Sequence, residues 1–295
     1  MPRIHIIRCV LPLAAAVASF GAMAETAETL VAKNYAARGG LERIEAIKSV
    51  EVEGEMVFNG TFKLALKQIS KGGNAMRSEA TAQGLTSVQA FDGKEGWAIS
   101  PFQGRRDPER MSADDAKSMR ESADFNGSLV GYREAGKRLE YLGVENIDGT
   151  MAHKLRLTDK AGDQEVIYLD PDYFLEIRTV TRRTVRGNEQ EVETDIGDYE
   201  KVDGVYFPFA FEIGDKGQDD KPQKITIDKM VANVEVDDAR FAFPESAAKS
   251  TPATTDPAES GASGDPPSPP AEGAQDPAEM ENPGMQKSDP SGAQS

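Results

Sequence analysis

The chain has 295 residues, 38% of them hydrophobic and 28% charged, and 50 acidic against 34 basic side chains give a net charge of −16. Such a balance argues against binding to a phosphate backbone, which needs Lys and Arg to displace counterions. One Cys and two His in the whole chain exclude a disulfide framework and argue against a Cys/His zinc site.

The first residues read MPRIHIIRCVLPLAAAVASFGAMA. Arg3 and Arg8 make a positive start, an apolar run follows from Val10 to about Phe20, and Ala22-Met23-Ala24 is a small-x-small cleavage site. This is the form of a secretory signal peptide over 1–24, cut after Ala24. The competing reading, a membrane anchor, needs roughly 20 apolar residues to span, and the run is shorter. Cys9 precedes the apolar run, where a lipid-modified Cys would not sit. Cleavage removes Cys9 and His5, so the mature chain has no Cys and one His, His153. Cys–His catalysis is then excluded, and a Ser–His triad would have to use His153.

A helix is expected from about Glu25 to Ala37, stopped by Gly39-Gly40, and a short second one from Leu41 to Ile47. Strands then dominate. Val50, Val52, Met56 and Phe58 share one parity and Glu51, Glu53 and Glu55 the other, the pattern of a strand with one wet face. Asn59-Gly60 is the preferred dipeptide of a two-residue type I′ hairpin. Phe62, Leu64 and Leu66 continue the apolar parity on the return strand. Further strands are expected at Met76–Thr81, Leu85–Phe91, Gly96–Ser100, Leu139–Asn146, Ala152–Leu157, Glu165–Leu169, Leu175–Arg186, Glu189–Lys201, Val205–Ile213 and Lys224–Val236. Short turns join most of them, so sequential antiparallel pairing of eleven or twelve strands is the default. Residues 105–135 interrupt the meander. Ser112 with Asp115 resembles a capping box before a helix over Ala113–Ala123, whose apolar side needs the dry face of the sheet.

Composition changes near Ser246. Residues 246–295 hold nine of the 17 prolines, eight acidic residues and no aromatic one. A segment of this kind cannot bury enough apolar surface to order itself, so an acidic disordered tail over 246–295 is expected beyond a folded unit at 25–245.

The stretches LVAKNYAARGGLERIEAIKSVEVEGEM, FDGKEGWAISPF, DFNGSLVGYREAGKRLEYLGVENIDGTMAHKLRL, VIYLDPDYFLEIR, DYEKVDGVYFPFAFEI and DDARFAFP, in that order, resemble the LolA-like periplasmic carriers, the outer-membrane lipoprotein-sorting proteins. The resemblance runs through most of 25–245. It implies a mainly β fold with helices: an unclosed antiparallel half-barrel of about eleven strands with a helical plug or lid. It also implies a hollow that holds acyl chains, with no catalysis, no cofactor and no metal. The polar residues that gate the hollow in that family have no match by motif, and Arg105 and Arg106 before the helix form no recognisable pattern. The acidic tail is foreign to the family's core.

An acyl chain needs a dry cavity, since each methylene taken from water contributes about 0.8 kcal/mol. The candidate lining is Val52, Met56, Phe58, Phe62, Leu64 and Leu66 with Trp97. The candidate lid is Met111, Met119, Phe125 and Leu129, Met being suited to surfaces that repack. Taken singly, each of these residues reads more readily as ordinary core, and the expectation concerns the set. His153 shares parity with Leu155 and Leu157 and reads as structural. Asp170-Pro171-Asp172 reads as a turn rather than a carboxylate pair. Arg178, Arg182, Arg183 and Arg186 read first as an outer face paired to Glu189, Glu191 and Glu193, and second as a patch for anionic headgroups. No Gly-rich phosphate loop or nucleophile elbow is present.

The expected function is that of a monomeric periplasmic binder or carrier of lipoprotein or lipid acyl chains, exchanging them with a membrane-bound donor or acceptor protein. The alternative is a regulatory or sensing module on the same fold, which the proline-rich tail favours. An enzyme comes third.

Overall fold

The computed structural model describes residues 25–185, 188–217 and 221–245. The expected signal peptide, the expected tail and Arg186 lie outside these residues. Helix α1 (Ala27–Arg38) starts at Thr26, whose hydroxyl accepts from the Thr29 N–H at 3.2 Å, and ends at Gly39 with φ +118°. A side chain on Gly39 would meet the Gly204 carbonyl at 2.3 Å, so only glycine closes this end. Helix α2 (Leu41–Ala46) follows at once.

The strands are β1 (Ser49–Phe58), β2 (Phe62–Lys71), β3 (Ala75–Ala82), β4 (Leu85–Phe91), β5 (Gly96–Ser100) and β6 (Arg105–Arg110). After helix α3 (Ala113–Ala123) come β7 (Arg138–Ile147), β8 (Thr150–Thr158), β9 (Gln164–Leu169), β10 (Glu176–Val185), β11 (Asn188–Val202), β12 (Val205–Asp215) and β13 (Gln223–Ala232). They form one antiparallel sheet of 13 strands in the order β6-β5-β4-β3-β2-β1-β13-β12-β11-β10-β9-β8-β7. Strands consecutive in sequence pair with each other, apart from β6 and β7, and β1 also pairs with β13. The sheet is therefore two meanders joined along one ladder. Its free edges, β6 and β7, are the strands that the α3 excursion connects, and they do not pair with each other.

Strand β6 falls inside the segment expected to be wholly non-strand. Its sequence, RRDPER, carries no apolar residue, and its side chains are mostly exposed. An edge strand needs only a backbone ladder on one side, here to β5, so hydrophobic alternation has nothing to report there.

The first hairpin also departs from expectation. Asn59 and Gly60 both take positive φ, at 48° and 67°, as a type I′ turn requires. The ladder, however, pairs Phe58 with Phe62, leaving three loop residues. The third, Thr61, decides the register. A two-residue loop would set Phe58 opposite Thr61 and turn Leu64 and Leu66 to the wet side. With Thr61 in the loop, Leu64 faces Met56 and Leu66 faces Gly54.

The helices cover one face of the sheet, the inner face. Ala27, Leu30 and Val31 of α1 pack with Leu155, Leu157, Ile167 and Leu169. Ile44 of α2 packs with Val50, Val205, Phe207 and Phe209. Met119 and Ala123 of α3 pack with Met76 and Phe91. The outer face is partly covered by the segment after β13, where Val236 and Phe241 lie against Ile69 and Ala75. No helix among the described residues is long and apolar enough to cross a membrane.

Candidate functional site: an apolar cavity under the plug

Three features of the central strands leave space on the inner face. First, β12 and β13 share a ladder only from Ala210–Ile213 to Thr226–Gln223. Beyond it β12 follows β11 as far as Val205, and β13 follows β1 as far as Ala232. Pro208 sits in the parted stretch and has no N–H to give to a ladder. Second, β13 bulges against β1, so that Glu53 faces Lys229 while Gly54 faces Ile227. Gly54 permits the close approach, because a side chain there would lie 2.2 Å from the Thr226 carbonyl oxygen. Third, the cover over this region is only the last turn of α3 and the irregular turns that follow it.

The result is a cavity of about 400 Å³, within the range of about 300–1,000 Å³ usual for small-molecule sites. Val50, Val52, Leu66, Phe207, Phe211, Ile213, Ile225, Ile227 and Met230 supply an apolar wall, and Phe125 closes it from the plug side. The ionisable groups on the wall are Arg38, Asp124, Glu176 and Tyr199.

The plug is tied down from α1. That helix buries Ala27, Leu30, Val31, Asn34 and Arg38, a stripe that is apolar at its start and polar at its end. The Tyr35 hydroxyl donates to the Leu129 carbonyl. Arg38 Nη1 donates to the Asn126 carbonyl at 2.5 Å, its guanidinium 6.0 Å from the Phe207 ring centre. Burial pushes the Tyr35 hydroxyl up to about 12, so it stays a donor.

Burial also dominates the carboxyl groups beneath the plug. It raises Asp124, against a hydrogen bond from the Asn126 N–H. It raises Glu176, against the attraction of Arg38. It pushes Glu165 up to about 7, against a hydrogen bond with Ser128. Glu176 Oε1 is shut off from solvent and has no hydrogen-bond partner. The Tyr199 hydroxyl donates to the Glu176 main-chain carbonyl at 2.9 Å.

Of the residues expected from sequence to bind a ligand, the structure brings Val52, Leu66 and Phe125 together on this cavity. Met56, Phe58 and Phe62 share their parity but lie farther along the first hairpin. Phe62, 41% exposed, meets Phe102 edge-on at 6.1 Å, and Leu64 is buried. Trp97 lies on the outer face, opposite Ala90. Its Nε1 donates to the Phe241 carbonyl at 2.8 Å and its ring meets Phe243. Met119 packs into the core beneath α3, with Met111 against it. Leu129 is fully buried beneath α1. Sequence reasoning passed over the walls from β11–β13 and the polar group Arg38, Asp124 and Glu176. The alternation of Phe207, Phe209, Phe211 and Ile213 was legible, but nothing local marks that stretch as the one left uncovered.

The remaining candidates have structural partners. His153 lies opposite Leu169, its Nδ1 is 3.2 Å from the Tyr141 hydroxyl, and its ring stacks on Phe174. Asp170 Oδ1 accepts from the N–H groups of Asp172 and Tyr173, closing a turn. Arg178 and Arg182 point outward onto Glu189, Glu191, Glu193 and Asp195 of β11. Arg183 has the other parity and reaches Glu121 of α3 at 3.1 Å. Arg105 pairs with Glu109 on β6. Among the described residues no group of three or more His, Cys, Asp or Glu side chains is arranged to hold a metal ion.

A scan of protein-family models finds no match to this sequence, and a search of curated proteins finds none either. Solved structures do match. A LolA superfamily protein of Nitrosomonas europaea aligns at a TM-score of 0.50 and 16% identity, over 74% of this chain and 98% of that one. A DUF1329 family protein of Desulfovibrio piger aligns at 0.51 and 13%, over 75% and 98%. With its unclosed antiparallel sheet and helices confined to one face, this chain has the LolA-like fold.

Proposed function

We propose that the chain is a non-catalytic binder or carrier that holds an acyl chain of a lipid or lipidated protein in the cavity beneath the plug. The carrying observation is an apolar space of about 400 Å³ bounded by strand side chains on one side and an irregular, tethered segment on the other. Each methylene moved into it from water contributes about 0.8 kcal/mol, so hydrocarbon alone supplies affinity without a built polar site. A cover tied to α1 by the Tyr35 and Arg38 side chains and by buried Leu129 contributes no strand to the sheet, so it can yield without unfolding the sheet. The signal-peptide form of residues 1–24 supports export to the periplasm, where such a cargo would be exchanged with a membrane-bound donor or acceptor.

The test is titration with an uncharged fluorescent acyl probe. Ile227→Trp fills the cavity and is expected to abolish uptake while leaving the far-UV circular dichroism unchanged. Leu142→Trp, on the exposed β7 edge, is expected to bind as the native chain does. A folded Ile227→Trp protein that takes up the probe normally would remove this reading.

A further inference from the structure

The cavity is apolar along the strands and ionisable at one end only. There Asp124 and Glu176 stand against a single cation, Arg38. That cation has its Nη1 on the Asn126 carbonyl and its face toward Phe207, and it attracts both carboxyl groups without pairing with either. Among the described residues neither Asp124 nor Glu176 forms an ion pair, and Glu176 Oε1 has no hydrogen-bond partner at all. Gly127, with φ +86°, runs between the two sides. A side chain there would begin 3.4 Å from Arg38 Nη1 and 3.9 Å from Glu176 Oε1. The groups around this end are Lys137, which attracts Asp124 without lining the cavity, Glu165, which is repelled by Glu176, and the Tyr199 hydroxyl. The balance is anionic, and its open valence is for hydrogen-bond donors. A carboxylate head would meet two further carboxyl groups in a medium that screens charge poorly. A protonated amine would supply the charge, and the donor that Glu176 Oε1 lacks.

We propose that this end of the cavity selects an amphiphile whose hydrocarbon chain ends in an ammonium group, held by Asp124 and by Glu176 as Gly127 yields. The proposal rests on the acyl-binding reading and adds the chemistry of the head.

The test uses the mature chain and three ligands of equal chain length, each below its micelle concentration: dodecylamine, dodecanol and dodecanoic acid. Each displaces the uncharged acyl probe near pH 7.5. The amine is expected to bind about tenfold more tightly than the acid, the scale of one charged hydrogen bond, with the alcohol between them. Asp124→Asn with Glu176→Gln is expected to erase the preference and leave the alcohol unchanged; Glu176→Gln alone, expected to shrink the preference, serves if the double variant does not fold. The preference should shrink on acidification, because burial has raised both carboxyl groups and so favours their uptake of protons. Equal or tighter binding of the acid, or a preference that survives in the variants, overturns the assignment of the head. Failure of all three ligands to displace the probe removes the acyl-binding reading and this proposal with it.

Discussion

Two parts of the same inner face end in opposite states. Over β3 and β4 the second half of α3 packs on the sheet, and Met76, Phe91, Met119 and Ala123 fill the space between them; its first half fronts a more polar hollow of about 390 Å³ toward β5 and β6. Over β1, β2 and β11–β13 the strands are as apolar, yet their side chains front a cavity. The two parts differ in their cover and in the regularity of the sheet. A helix presents a continuous stripe that interdigitates with a regular sheet. A run of turns cannot, and here the sheet itself parts at Pro208 and bulges at Gly54. An apolar face therefore states where water is excluded, while vacancy depends on what lies opposite.

The contrast can be broken most directly by truncation on each side. Phe91→Ala, in the filled part, should cost about 3–5 kcal/mol. Ile225→Ala, on the cavity wall, should cost roughly 1 kcal/mol, since its side chain is already only half-packed. Urea denaturation measures both, and equal losses would mean that the two parts are equally packed.

The next effect concerns protons, because the buried carboxyl groups gather on the plug side. Glu165 ionises at about 7 when folded, against an ordinary value of 4.5. The native state thus holds a proton that the unfolded chain has already lost. Its contribution is fully present below about pH 4.5 and falls away as the pH rises through about 7, by as much as about 3 kcal/mol. Asp124 and Glu176 act in the same direction. Glu165→Gln should flatten this slope in thermal melts across that window. An unchanged slope would show that Glu165 titrates normally.

Smaller effects sharpen the comparison. Arg38→Leu strands the Asn126 carbonyl and should cost about 2 kcal/mol, with faster amide exchange over 124–130 and unchanged exchange in β3–β5. Tyr35→Phe should do the same at about 1 kcal/mol. Exchange that rises equally across both parts would show that the plug is not an independent unit.

Much of the architecture was legible locally. The strand alternation, the Asp170-Pro171-Asp172 turn, the Ser112 cap and the bounds of α3 follow from spacings of a few residues. So does the pairing of Arg178 and Arg182 with the acids of β11. Trp97 shows where legibility stops. Its parity within β5 is plain, but which face that parity meets depends on the turn between Phe91 and Gly96 and on the register beyond it. The first hairpin turns on the same point, since one extra residue, Thr61, decides the side on which Leu64 and Leu66 lie.

The amino-acid order alone determined every strand but β6, the helical excursion and the ionic outer face, because each depends on neighbours within a turn or a hairpin. Only the tertiary structure decided that β1 closes on β13, that Trp97 lies under the C-terminal segment and that Arg38 and Tyr35 tether a loop some 90 residues away. It alone left a space beside Glu176. A cavity is a difference between surfaces brought together from distant parts of the chain, and no periodicity within one segment records the volume of another.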